Sequence, residues 1–332
     1  MAKKIRVIQY GLGPIGQAAA KLALQKEGLQ LVGAVDIDPE KVGKDLGEIL
    51  GGKSLGIPVV ASIKDLPIKT KPDIAMHCTV SWLEDSMPQF VELAEAGIDV
   101  VSSTEELLCP SWKYPKLAKK LDAVAKKCGV TLLGTGVNPG FVLDTLPVVL
   151  SGVCLNVKRV VSEREVNAAT RRLPLQQKVG AGITPAEFRK RVKTGKMGHA
   201  GFIETVALVA YGLGWKLDKI TETIQPKIAD KKYTTKFLTV EKGQVTGIHQ
   251  VCKGIKGGKT LIHADLQMYV GAENPHDKIV IDGEPKIECN LVNGVAGDQA
   301  TVAMLVNAIP LVKIAHPGLK TMADIRIPRC MK

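Results

Sequence analysis

The chain has 332 residues, a formal net charge of +12, 45% hydrophobic residues and 4% aromatic residues. That length favours two domains over a single core, and so few aromatics argue against a nucleic-acid reader built on stacking platforms. The lysines are dispersed, as along one side of the helix expected in "KYPKLAKKLDAVAKKCG", so the charge reads as a solvated face suited to anionic small molecules rather than to nucleic acid.

No apolar run approaches the roughly eighteen residues that span a bilayer, which excludes a membrane partner. The start, "MAKKIRV", runs from basic residues straight into a strand with no signal-peptide core, so a cytoplasmic location is expected. The 7 cysteines include no C-x-x-C pair and none at metal-ligand spacing from a histidine. Reduced thiols and no metal site are expected.

In chain order, Ile5 to Tyr10 reads as a short buried strand, and Gly11-Leu12-Gly13-Pro14-Ile15-Gly16 fits G-x-G-x-x-G. The first glycine permits the tight turn, the second lets backbone approach a pyrophosphate, and the third lets the helix pack on the strand. The helix N-terminus then offers N–H groups and a positive dipole end. Pro14 falls at the first helical position, where its missing donor costs nothing. A second apolar run, "LQLVGAVD", ends at Asp36, the spacing at which a carboxylate meets the adenosine ribose hydroxyls. A plain cap or turn residue is the alternative for Asp36. A dinucleotide site is the better fit, with NAD favoured over NADP and dual use left open by Lys41 and Lys44.

"PDIAMHCTV", "DVVSST" and "VTLLG" read as strands, and "EDSMPQFVELAEAG" and "WKYPKLAKKLDAVAKKCG" as helices between them. Such alternation implies a Rossmann-type doubly wound parallel sheet. Ligands sit beyond the carboxyl ends of its strands. That singles out Thr79 as a cofactor contact, Glu105 and Glu106 as carboxylates able to move a proton, and Asn138 in "GVNPG" as an orienting amide. Each has a plain counterpart: first-turn acids stabilised by a helix dipole and a turn asparagine before proline.

From about Gly140 the rhythm changes. "VKRVVSEREVNAA" reads as a long strand, and "TPAEFRKRVKTGKMG" and "FIETVALVAYGLGW" as helices. "KFLTVEKGQVTGIHQVCKGI", "TLIHADLQMYVGAE" and "DKIVIDGEP" read as strand-like runs of an open mixed sheet carrying substrate residues on one face. The apolar helix in "DQATVAMLVNAIPLVKIA" is expected to return to the first domain. The expected division is therefore 1–138 completed by 298–332, and an α+β domain over 139–297 that offers a dimer face. Of the 6 histidines, His199 and His263 merit inspection, though a structural role is the commoner one. Arg164 is placed either to face a substrate carboxylate or to pair with Glu163 or Glu165 at the surface.

Taken together, "VIQYGLGPIG", "VDIDPEKVGKDLGE", "VVSSTEEL", "GTGVNPGFVLDTLP", "GHAGFIET", "YVGAENPHDKIVIDG" and "VNAIPLVKIAHPGLKTMAD" resemble the 2,4-diaminopentanoate dehydrogenase and native amine dehydrogenase family, distantly related to dihydrodipicolinate reductase. The resemblance runs across essentially the whole chain. It implies NAD- or NADP-dependent oxidative deamination of an amine to a ketone and ammonia, reversible as reductive amination; the homodimer expectation rests on the open sheet of the second domain. It also implies that Glu105, with Glu106 as fallback, handles ammonia or water, that Asn138 lies near nicotinamide and substrate, and that Arg164 and His263 line the pocket. Two alternatives stay open. One is a cyclic-imine reductase of the dihydrodipicolinate reductase type, against which the lack of paired histidines and the length of the second half count. The other is a protein that binds NAD as a sensor without turnover.

Overall fold

The computed structural model describes residues 3–67, 71–195 and 197–332. The first two residues of the basic start, residues 68–70 and Lys196 in the loop before His199 lie outside the described residues. The chain divides into two compact units, Met1–Gly140 with Ala296–Lys332, and Phe141–Val295.

In the first unit β1 (Ile5–Tyr10), α1 (Pro14–Leu24), β2 (Leu29–Val35), α2 (Leu46–Ile49), β3 (Val59–Val60), β4 (Ile74–His77), α3 (Leu83–Glu95), β5 (Asp99–Ser102), α4 (Pro115–Cys128) and β6 (Thr131–Gly134) follow in turn. Among the described residues these strands and Gly318–Lys320 form a parallel sheet in the order Gly318–Lys320, β6, β5, β4, β1, β2, β3. The strand order reverses direction beside β1, which opens a crevice at the carboxyl ends of β1 and β4.

Helix α1 buries Gly16, Ala19, Ala20 and Ala23, a helical spacing of small residues that lets it lie close against the helix Gly297–Ile314. On the other face Phe90 and Leu93 of α3 and Leu121 and Ala125 of α4 pack on Ile8, Val100 and Leu132. Burying each large side chain contributes about 2 kcal/mol. Helix α4 stops at Gly129, whose φ of +69° is the left-handed conformation that ends helices. The returning chain is tied to β6 by Gly318 N donating to Val130 O at 2.9 Å.

The second unit is built on a mixed sheet in the order Ile287–Val292, His276–Glu284, Asn156–Asn167, Lys259–Tyr269, Val245–Lys256, Lys219–Ile228. Among the described residues of this sheet, Asn156–Asn167 and Lys259–Tyr269 alone pair in parallel. Alternate residues such as Val160, Ile248, Cys252, Ile262, Ala264, Leu266, Ile279 and Ile281 are buried, on the side covered by Phe202–Gly212. The intervening residues, among them Val161, Glu163, His249, Val251, His263, Asp265 and Val280, are only half-buried.

The structure corrects the reading of the second half in several places. The run from Lys236 is not one strand, because Thr239–Val240 and Val245–Lys256 are separate. The strands Lys219–Ile228, Ile287–Val292 and Gly318–Lys320 had no counterpart in the sequence reading.

Candidate active site

The glycine loop and Asp36 form one hydrogen-bonded assembly. Gly11 has φ +87°, and a Cβ there would stand 2.4 Å from Cys78 O; one on Gly16 would stand 1.9 Å from Gly11 O. Gly13 has nothing within 4 Å of such a Cβ. Two glycines are thus required by packing, while the third leaves open the space a pyrophosphate needs. Pro14 is exposed at the first helical position, Leu12 is buried and Ile15 half-buried. The loop is held from below by Gln9, whose Nε2 donates to Gly11 O at 2.8 Å.

Asp36 accepts from Leu12 N at 2.6 Å and from Asp38 N at 2.8 Å. Lys41 Nζ stands 3.5 Å from Asp36 and 3.0 Å from Asp38. The two carboxylates hold the Lys41 ammonium above the usual lysine range, and Lys41 in turn pulls Asp38 down. These residues fit a dinucleotide: an open loop at a helix N-terminus, and an acid beside it at the end of β2.

The carboxyl ends of β4 and β5 are joined through His77. This ring is fully buried between Tyr10 and Phe90, and burial pushes its pKa down to about 4. The Gln89 carbonyl Oε1, 2.7 Å away, accepts from Nε2, which leaves Nδ1 to accept from the Ser102 hydroxyl at 2.9 Å. Ser102 Oγ accepts from Thr104 N at 3.0 Å. Thr79 hydrogen-bonds Gln89 at 2.9 Å, and its methyl lies against the space beside Gly11. His77 thus sets the backbone from which Glu105 follows.

A buried neutral histidine has a measurable consequence. Its folded pKa lies below the unfolded value near 6.5, so its contribution to stability is present above that value and is lost as pH falls from 6.5 towards 4. The expected loss is about 3 kcal/mol. Denaturant midpoints measured across that window check it, and a flat profile would count against a buried neutral His77.

The paired acids separate clearly. Glu105–Leu107 is a single 3-10 turn; Glu105 is half-buried, whereas Glu106 is 1% exposed. Glu106 accepts from Leu83 N at 2.9 Å, pairs with Lys113 Nζ, and accepts from Tyr114 Oη at 3.1 Å. Trp82, the N-cap residue of α3, offers no side-chain cap, and Glu106 supplies that acceptor from outside the helix.

Beyond β6 the segment Thr135–Gly140 folds tightly on itself. A Cβ on Gly140 would stand 2.2 Å from Gly136 N, and Val137 N donates to Thr301 Oγ1 at 3.4 Å. Both amide atoms of Asn138 and the hydroxyl of Thr135 are buried without a hydrogen-bond partner. Buried polar atoms are rarely left so, and such exceptions need an explanation.

In the second unit Arg164 is 4% exposed and does not pair with Glu163 or Glu165, which point to the opposite face of the strand. Its Nη1 donates to Asp277 at 2.6 Å and its Nη2 to Val295 O at 2.7 Å. Asp277 lies directly across the ladder and also accepts from Val295 N at 2.7 Å. His263 sits opposite Val161, on the half-exposed face, with Nε2 3.9 Å from Asp265; His249 Nε2 is 2.9 Å from the same oxygen. Arg164 and His263 therefore occupy opposite faces of the sheet, contrary to the expectation of substrate residues on one face. His199 bonds Ala200 O through Nδ1 at 2.9 Å, and burial pushes its pKa down to about 3.

In the first unit the structure brings Gly11, Leu12, Gly13, Pro14, Ile15, Gly16, Asp36, Thr79, Glu105 and Asn138 to the carboxyl edge of one sheet. Sequence reasoning passed over Lys113, Tyr114, Thr135 and Asp277. Asp277 had a legible signal: with Ile279 and Ile281 it shares the apolar alternation of its strand.

Residues 141–332 match the family profile described as the 2,4-diaminopentanoate dehydrogenase C-terminal domain, and residues 5–107 match that of the dihydrodipicolinate reductase N-terminus. The chain is 33% identical to 2,4-diaminopentanoate dehydrogenase of Acetoanaerobium sticklandii, over 99% of this chain and 95% of that protein. It is 25% identical to an amine dehydrogenase of Streptomyces virginiae, over 97% and 96% of the two chains. The solved amine dehydrogenase of Mycobacterium smegmatis superposes with a TM-score of 0.86 at 29% identity, covering 98% of this chain and 97% of that one. No described helix is long and apolar enough to cross a membrane.

Proposed function

Because the chain belongs to the 2,4-diaminopentanoate dehydrogenase family, we propose that it oxidatively deaminates 2,4-diaminopentanoate to 2-amino-4-oxopentanoate and ammonia, and runs the reverse reductive amination. The observation that carries this reading is the match of residues 141–332 to that family's C-terminal domain profile, whereas the matched dihydrodipicolinate reductase profile covers residues 5–107.

A bound nicotinamide supplies the hydride acceptor. The chain's own residues do the rest. Glu105 takes a proton from the substrate ammonium, so that the neutral amine nitrogen can push hydride from its carbon and become an iminium. After that proton passes to solvent, the carboxylate stabilises the cation, takes a proton from the water that attacks it, and returns that proton to the carbinolamine nitrogen. The carbinolamine collapses to ketone, and the nitrogen leaves as ammonia. Glu106, tied to Leu83, Lys113 and Tyr114, is the anchor of the turn rather than the proton carrier.

Asn138 in the first unit and Arg164 in the second are the binding side chains this reading keeps; His263, on the sheet face opposite Arg164, is not one of them. Arg164 spends one Nη1 and one Nη2 bond on Asp277 and Val295, which leaves further donors on a five-donor guanidinium for a carboxylate. One observation favours a second reading, oxidation of plain alkyl amines: the Arg164 charge is already matched by buried Asp277. Reduction of NAD+ and NADP+ at mildly alkaline pH with 2,4-diaminopentanoate, ornithine, alanine and 2-aminoalkanes tests both. Turnover confined to the diamino acid supports the first; turnover of alkyl amines moves the reading to the second; none with any amine rejects both.

NAD is the preferred cofactor, because Asp36 would repel a 2′-phosphate. Lys41, held at Asp36 and Asp38, is the residue that permits NADP. Lys41→Ala is expected to lower kcat/KM for NADP by roughly tenfold and to leave that for NAD nearly unchanged. Equal losses with both cofactors would count against this role. The reading places the enzyme in the cytoplasm as a homodimer joined through the half-exposed face of the second sheet, which a second copy would cover.

A further inference from the structure

We propose that His199 and Lys178 recognise the α-amino acid head of the substrate, His199 accepting a hydrogen bond from the C2 amino group and Lys178 holding the carboxylate beside Arg164; this rests on the diamino-acid reading given above. The loop that carries His199 is fixed. Gln250, 1% exposed, bonds both backbone groups of His199: its Oε1 accepts from His199 N at 2.7 Å, and its Nε2 donates to His199 O at 3.0 Å. Gly198 has φ +117°, and a Cβ there would stand 2.6 Å from Ile224 Cδ1. Ile224, Gln250, Leu266 and Arg164 lie in one row across adjacent strands, which puts Arg164 on the same face as Gln250 and about 10 Å away. Lys178 closes its helix, Leu173–Lys178, at the same place. Two residues on, a Cβ on Gly180 would stand 3.2 Å from Met197 Cε, two residues before His199. Burial, then the charges of Lys178 and Arg164, hold the His199 ring neutral.

The chemistry of these groups selects the ligand. Ala200 O only accepts, so Nδ1 of His199 carries the ring proton and Nε2 is left as an acceptor, on a residue that is half-buried rather than closed. Lys178 is exposed, and among the described residues no carboxylate pairs with it. Arg164, by contrast, has its charge matched by Asp277. A ligand here must bring an anion for the unmatched ammonium and an N–H or O–H for Nε2. A carboxylate alone leaves Nε2 without a donor, and an ammonium alone is repelled by Lys178 and Arg164. A zwitterionic α-amino acid head supplies both on adjacent carbons. In 2,4-diaminopentanoate that head is C1 and C2, so anchoring it leaves the C4 amine as the one to be oxidised.

Calorimetry with the NADH-loaded protein compares 2-aminopentanoate, which has the head and no C4 amine, with pentanoate, which has the carboxylate alone. In the unaltered protein the amino acid is expected to bind about 10- to 100-fold tighter. Equal affinities, or no binding of 2-aminopentanoate, overturn the proposal, and this comparison stands even if a variant fails to fold. His199→Asn keeps a donor for Ala200 O and removes the acceptor, so it should erase the difference by weakening the amino acid alone. His199→Gln, which can place an amide oxygen where Nε2 stood, should recover part of it. Lys178→Met should weaken both ligands by about 3- to 10-fold. A uniform loss in His199→Asn, the result of a merely structural loop residue, or no loss at all, overturns the assignment. None of these measurements needs turnover. The amine assay of the unaltered enzyme decides the deamination reading separately.

Discussion

Glu105→Gln is expected to lower kcat by about 10²- to 10⁴-fold while NADH still binds, because it deletes the proton carrier and keeps the size of the side chain. Glu106→Gln should behave differently. Its carboxylate meets Leu83 N, the Lys113 ammonium and the Tyr114 hydroxyl, and an amide cannot satisfy all three. That change should cost about 1–3 kcal/mol of stability and leave partial turnover. Single-turnover reduction of NAD+ together with a thermal melt separates the two variants. Full activity in Glu105→Gln would transfer the proton chemistry to another group, whatever the melt of Glu106→Gln shows.

Asp277→Ala is expected to carry the largest stability penalty in the second unit. Arg164 and Asp277 are 4% and 0% exposed, and the ion pair crosses neighbouring strands. Removing the carboxylate leaves a guanidinium buried with only Val295 O as acceptor, and breaking such a pair costs about 3–5 kcal/mol. The melting temperature should fall by roughly 10 °C. Asp277→Leu combined with Arg164→Met removes both charges and should recover most of that loss. If the double variant melts as low as Asp277→Ala, an uncompensated charge is not the cause. The double variant also separates stability from recognition: recovered folding with lost selectivity for the diamino acid would assign the guanidinium to the substrate.

The dinucleotide half was legible because its signals are local. The glycine spacing, the apolar runs before it and at Leu29, and the acid at Asp36 each follow from a single turn or strand. The second sheet was less legible at its edges. Lys219–Ile228 and Ile287–Val292 are edge strands whose side chains are mostly half- or fully exposed, so the alternation that marks a buried strand is weak there. Within the site, the sequence narrowed the acid to two neighbours but could not divide them. The contacts of Leu83, Lys113 and Tyr114 with Glu106, which arise only in three dimensions, are what the proposed reading uses to distinguish the two. Arg164 has a comparable history. Its partner lies 113 residues further on, and nothing near "SEREV" announces it.

The interrupted first unit has a consequence for synthesis. Gly318–Lys320 closes the edge of the sheet beside β6, yet it leaves the ribosome long after β6 does. At about 5–20 residues per second, the intervening Phe141–Val295 segment alone takes roughly ten to thirty seconds to be translated. During that interval β6 ends the nascent sheet with unpaired backbone groups, the condition under which sheets recruit foreign strands. The insertion therefore sets an order of assembly, in which the inserted unit can complete itself on the ribosome while the dinucleotide unit that brackets it waits for its last strand.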